Sequence, residues 1–199
     1  LLEEGVSPAL IENAGRMAGM PVGPLAVSDE VSIELLWKVI RQGELDLGEK
    51  YVRPAGYDVV HRFVHGLERG GRKFGRGFYD YPEGGRKRLW PGLAQVYPVS
   101  ARQPSLEEVK DRLLYVQAME TVRCLDEGGL THPADGDLGS VLGWGFPTWT
   151  GGTLSLVETV GLRRFVKECD RLAKLHGDRY RPTRRLRKLA AEGKTIYGA

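Results

Sequence analysis

Four histidines, two cysteines and several glycine-rich or basic runs are the places where this 199-residue chain could do chemistry. His61 and His65 stand four apart, the spacing that puts two imidazoles on one helical face, as two zinc ligands would be. A zinc hydrolase of that pattern needs a glutamate directly after the first histidine, and position 62 is arginine. A surface pair is therefore expected. His132 and Asp135 could form an imidazole–carboxylate dyad, but Pro133 lies between them and reads as a helix start. The run Gly70-Gly71-Arg72-Lys73-Phe74-Gly75-Arg76-Gly77 is glycine-rich and basic. A dinucleotide loop must follow an apolar strand and open a helix, so that helix N–H groups meet the pyrophosphate. This run follows a polar helix end and precedes Phe78-Tyr79-Asp80-Tyr81, so a turn is expected, with Arg72, Lys73 or Arg76 the alternative contacts for an anion. Arg179 to Lys188 is the most basic stretch, but it lacks the interleaved aromatics on which bases stack. Cys124 and Cys169 lie in helical patterns with no Cys-x-x-Cys spacing, which points to reduced thiols rather than a disulfide or a metal site.

The best candidate for function is the loop Gly19-Met20-Pro21-Val22-Gly23-Pro24-Leu25-Ala26. Each proline removes an N–H and restricts the residue before it, so this stretch cannot be regular helix. It is apolar, sharply turned and conformationally locked. Such a loop presents backbone and methyl surface to a ligand without a large ordering cost. Met20, Pro21, Val22, Gly23, Pro24 and Leu25 are the candidate substrate-binding residues, and a plain packing loop between helices is the alternative. No catalytic, cofactor-binding or metal-ligating residue is assigned.

The elements around this loop repeat. Leu2-Glu3-Glu4-Gly5, Pro8-Ala9, Gly19-Met20-Pro21 and Asp29-Glu30-Val31 have ordered echoes in Leu125-Asp126-Glu127-Gly128, Pro133-Ala134, Gly145-Phe146-Pro147 and Glu158-Thr159-Val160. Two copies are too few for a solenoid and predict two related domains, over residues 1–100 and 104–199, with an irregular connector across 82–104. Helices are expected over 8–18, 25–42, 58–68, 105–127, 133–142 and 154–175, with a last one from Pro182 to Gly193. No alternating run is long enough for a sheet, so the fold class is all-α. Trp144, Phe146 and Trp149 are expected in the core or between the copies. Leu1 to Gly5 reads as the end of a helix, so an N-terminal part is expected to be missing. Charge is well mixed, 29 basic against 26 acidic residues, which argues against a nucleic-acid partner and leaves a mild preference for anions. No apolar run approaches the ~18–20 residues of a membrane span, and a cytoplasmic setting is expected.

Three ordered motifs carry a resemblance: Gly19 to Ala26 with Asp29-Glu30-Val31, Gly71 to Tyr81, and Pro133-Ala134-Asp135 followed by Gly145-Phe146-Pro147 and Gly151-Gly152. They are similar to the C-terminal half of the 3-hydroxyacyl-CoA dehydrogenases, most of all the multifunctional enzymes of fatty-acid β-oxidation. The resemblance implies two tandem copies of a dehydrogenase C-terminal helical domain, of the 6-phosphogluconate dehydrogenase C-terminal type, packed as a pseudo-dimer. It implies a parent enzyme that passes hydride between a 3-hydroxyacyl-CoA and NAD. The NAD site and the catalytic His–Glu pair would lie on an upstream Rossmann domain outside this chain, and a thiolase subunit is a further implied partner. The family's asparagine in the first helix falls at Asp111 in the second copy and before Leu1 in the first. The chain alone is thus expected to be inactive, and a non-catalytic helical docking or dimerisation module is the rival reading.

Overall fold

The computed structural model describes residues 1–198. They divide into two units: Leu1–Ala14 with Val22–Ser105, and Gly15–Pro21 with Leu106–Ala199. The first unit opens on a 3-10 turn, Leu2–Glu4, closed by Gly5 in the left-handed conformation at φ 75°. Helix α1, Pro8–Ala18, starts on the proline and buries Ile11, Glu12 and Ala14. Helices α2, Pro24–Val31, and α3, Ile33–Leu47, follow.

The single helix expected over 25–42 is therefore two, and it runs on to Gly48 rather than stopping at Gly43. The break is Ser32, at φ 83°. Its hydroxyl donates to the Gly70 carbonyl at 3.1 Å, and the Glu34 N–H donates to the same oxygen at 3.3 Å. Two tertiary hydrogen bonds hold a non-glycine residue where the backbone alone would not put it.

Helix α4, Tyr57–His61, continues as a π-helical turn, Arg62–Gly66. The extended piece at Phe78 to Tyr81 is strand β1, Tyr79–Asp80, paired antiparallel with β2, Arg88–Leu89. The expected connector is ordered: β2 and helix α5, Leu93–Val96, lie within it. Its end is tied to the start of the same unit. The Ser100 N–H and the Gln103 amide both donate to the Gly5 carbonyl at 2.9 Å.

The second unit holds α6, Leu106–Asp126; α7, Pro133–Trp144; α8, Thr153–Val160; α9, Leu162–His176; and α10, Arg184–Glu192. Here too an expected single helix, 154–175, breaks, at Gly161 with φ 87°. The core joins Leu114, Ala118 and Met119 of α6 to Leu154 and Val157 of α8 and to Phe165 and Leu172 of α9. Phe146 is 2% exposed within it, as expected. Trp144 and Trp149 are not core residues: they are 57% and 64% exposed. Each is fixed instead by its indole N–H, Trp144 on the Gln117 side chain and Trp149 on the Ala18 carbonyl. Among the described residues no helix is long and apolar enough to cross a membrane.

Candidate functional site

The loop after α1 is built around a buried carboxylate that the sequence gives no reason to single out. Glu12, on the inner face of α1, is 4% exposed. Its Oε1 accepts the N–H of Leu25 at 2.6 Å and of Ala26 at 3.2 Å, so it caps the first turn of α2. Its Oε2 accepts the Tyr79 hydroxyl at 2.7 Å. Gly23 makes this approach possible: a Cβ there would lie 2.1 Å from Glu12 Oε2. Pro24 supplies the first helical residue, where a missing N–H costs nothing.

The six predicted residues therefore differ in role. Leu25 and Gly23 are buried, and Leu25 belongs to the core. Pro24 and Val22 are half-buried. These four lie in the first unit, whereas half-buried Met20 and exposed Pro21 lie in the second. The N–H groups of Leu25 and Ala26 are already bonded, so they are not free to meet a phosphate or carboxylate. What remains on offer is apolar surface at Met20, Pro21, Val22 and Pro24, with no acid–base group among them.

A second buried acid locks the far side of α2. Asp29 accepts the N–H of Phe78 at 2.8 Å and of Tyr79 at 2.9 Å, and the Tyr81 hydroxyl at 3.0 Å. Burial pushes its carboxyl above the usual range, against the opposing pull of these hydrogen bonds and of Arg69. A Cβ at Gly77 would lie 2.0 Å from Asp29 Oδ1, which explains the glycine. Arg69 is 8% exposed and donates to the carbonyls of Gly77 at 2.6 Å and Tyr79 at 3.1 Å, with its guanidinium 4.2 Å from the centre of the Trp90 ring. The basic glycine run is thus a turn held by its neighbours. Arg72, Lys73 and Arg76 are exposed, and Arg72 and Arg76 face Glu30 and Glu68.

The second unit repeats the arrangement with different residues. Asp137 of α7 accepts the N–H of Leu154 at 2.7 Å and of Ser155 at 3.1 Å, and the Tyr197 hydroxyl. Glu158 of α8 accepts the Ile196 N–H. Glycine again makes room, since a Cβ at Gly152 would lie 2.4 Å from Asp137.

The other predicted groups stay apart from these locks. The His61 and His65 rings, one at the end of α4 and one on the π turn, are 4.9 Å apart, each edge-on to Trp37, and both are exposed. Among the described residues no three histidine, cysteine or acidic side chains cluster as metal ligands. The His132–Asp135 dyad does not form: His132 Nδ1 accepts the Ala134 N–H at 3.2 Å and caps α7. Asp111 is half-buried, its carboxyl pushed up by burial and by the carboxylates of Glu107, Glu108 and Glu168.

With this geometry in place, the chain can be set beside known proteins. Residues 1–81 match the family model of the 3-hydroxyacyl-CoA dehydrogenase C-terminal domain. The chain is 36% identical over 198 residues to the fatty acid oxidation complex subunit alpha of Shewanella sp. (strain MR-7), covering 96% of this chain and 27% of that protein. The same-named subunit of Shewanella amazonensis is 34% identical over 202 residues, covering 99% of this chain and 28% of its own length. The chain thus spans little more than a quarter of these relatives. Two solved structures share the fold: a 3-hydroxybutyryl-CoA dehydrogenase from Escherichia coli, with a TM-score of 0.68 at 19% identity over 96% of this chain and 56% of its own, and the dehydrogenase part of multifunctional enzyme 1 from C. elegans, with 0.62 at 18% identity over 94% and 43%.

Proposed function

We propose that this chain, which resembles 3-hydroxyacyl-CoA dehydrogenases from its first residues to its last described helix, is the C-terminal region of such an enzyme acting in fatty-acid oxidation. The observation that carries the reading is the coincidence of two things in residues 1–81: the family match, and a loop whose only free offering is apolar surface. In this reading the parent oxidises a 3-hydroxyacyl-CoA to the 3-oxoacyl-CoA with NAD. Met20 to Leu25 line the acyl side of the cleft, and Glu12 and Asp29 are positioning residues that hold the loop. The second unit is a related copy, as its Asp137–Tyr197 lock suggests. A thiolase subunit is a partner of the same reading.

NAD does not fit the residues present. Among the described residues the glycine run at 70–77 meets a π turn on one side and a two-residue strand on the other, not a strand–loop–helix unit. The nicotinamide site then belongs to another domain of the parent.

The test is NADH absorbance. The full-length gene product should turn over a short 3-hydroxyacyl-CoA with NAD, and residues 1–199 should not. Turnover by the chain alone would place the chemistry inside it and overturn the assignment. Failure of the full-length product over several chain lengths would leave fold as the only thing shared, and the docking-module reading would stand.

A further inference from the structure

The second unit carries an open cavity of about 440 Å³ that the proposed function does not use, between α6 and α7. That volume lies within the range of small-molecule sites, roughly 300–1,000 Å³. One wall is Thr121 and Cys124 of α6, another is Leu130, and Trp144 stands at the end of α7. Between Asp135 and Trp144 the α7 wall is bare backbone, at Gly136 and Gly139. At Gly136 the bareness is a packing need, since a Cβ would lie 2.8 Å from Thr121 Cγ2. At Gly139 nothing lies within 4 Å of where a Cβ would stand. The helix there is bare beside empty space.

The polar groups of the cavity select against one charge. Gln117 donates its amide to the Leu113 carbonyl at 2.7 Å and accepts the Trp144 N–H at 3.0 Å, so it fixes the ring and has little left for a ligand. The Thr121 hydroxyl donates to the Gln117 carbonyl. Of the lining side chains none is a cation, whereas Glu120 and Asp135 are both carboxylates and both exposed. Glu120 is bonded to Arg123 at 2.9 Å, which leaves Asp135 as the less neutralised of the two. An anionic head group would meet acid and, among the lining side chains, no cation. A cation would meet two carboxylates beside an exposed indole, a ring type that attracts cations through its quadrupole.

We propose that this cavity binds a small apolar amine, with the alkyl or aryl body against Leu130, Thr121 and the bare backbone of Gly139, and the ammonium at the mouth beside Asp135. This is independent of the dehydrogenase assignment.

Cys124 is the built-in reporter. It lines the cavity and is partly exposed, while Cys169 is fully buried, its thiol pushed up to about 12 by burial. In the full chain, attack of the Cys124 thiolate on dipyridyl disulfide forms a mixed disulfide and expels thiopyridone from the reagent, so thiopyridone absorbance should read Cys124, and a Cys124→Ser variant should abolish it. Octylamine should slow the exchange roughly tenfold more effectively than octanoate, the scale of one favourable against one unfavourable exposed charge contact. Octanol should fall between them. Gly139→Leu starts its side chain in open space and takes up cavity volume, and should remove the protection while circular dichroism shows the helices intact. Equal protection by the amine and the acid, no protection by the amine, or protection that survives in folded Gly139→Leu protein would each overturn the proposal.

Discussion

At the scale of single residues, Glu12 and Gly23 form one device. The carboxylate can reach the Leu25 and Ala26 N–H groups only because position 23 has no side chain. Glu12→Ala takes the side-chain acceptor from two buried amides and removes the bond to the Tyr79 hydroxyl. At ~1–3 kcal/mol for a buried unpaired group, with some relief by water, a loss of about 3 kcal/mol is expected in urea unfolding. Gly23→Ala drives a methyl into the carboxylate and should cost about 2 kcal/mol. The two changes should not add: in the Glu12→Ala background the methyl has room, so Gly23→Ala should cost markedly less than alone. Additive losses would mean that Gly23 matters for its backbone only. Glu12 was not legible in the sequence, because its partner Tyr79 stands 67 residues away and the periodicity of α1 marks only apolar positions. The glycines and prolines were legible, since each acts on its own backbone.

At the scale of elements, the helix starts at Pro8, Pro24 and Pro133 and the stops at Gly5, Gly145 and Gly193 follow from the residues themselves. The breaks inside the two long apolar runs do not. Ser32 and Gly161 occupy nearly the same conformation, φ 83° and ψ 119° against φ 87° and ψ 126°. Ser32 needs the Gly70 carbonyl to stay there, and that partner is 38 residues away in the sequence. Gly161 has open space around it, so Gly161→Ala isolates the backbone term. A loss of about 1 kcal/mol in thermal or denaturant unfolding is expected, with α8 and α9 still formed. Between α9 and α10, Arg187 holds the Asp170 carboxyl below the usual carboxylate range. A lowered folded pKa gives stability that is present above the unfolded value near 4 and is lost as pH falls below it. The wild-type protein should therefore lose more stability than Arg187→Gln between pH 5 and pH 3. The difference should be modest, since both side chains are about 40% exposed.

At the scale of the whole chain, the all-α class was legible because nearly every apolar run has a helical period and a glycine or proline at its ends. The candidate loop was legible as a special stretch, but its chemistry was not. The sequence shows an apolar turn; the structure shows that its nearby helix N–H groups are already taken. Ligands of the proposed parent should behave accordingly. Millimolar NAD should leave the melting temperature of residues 1–199 unmoved, because a ligand stabilises only what it binds. A rise that saturates with NAD would show a dinucleotide site inside this chain.

The Trp149 indole N–H donates to a carbonyl 131 residues earlier, in the segment 15–21 that belongs to the second unit. During synthesis that segment leaves the ribosome first and its partner follows. At ~5–20 residues per second the Ala18 carbonyl waits on the order of ten seconds for its donor. In that interval Ala18, which is fully buried in the finished core, faces water or a chaperone. The second unit's core cannot be completed before residues as late as Ile196 have emerged, so its last contacts depend on the segment 15–21 having been kept clear of other partners.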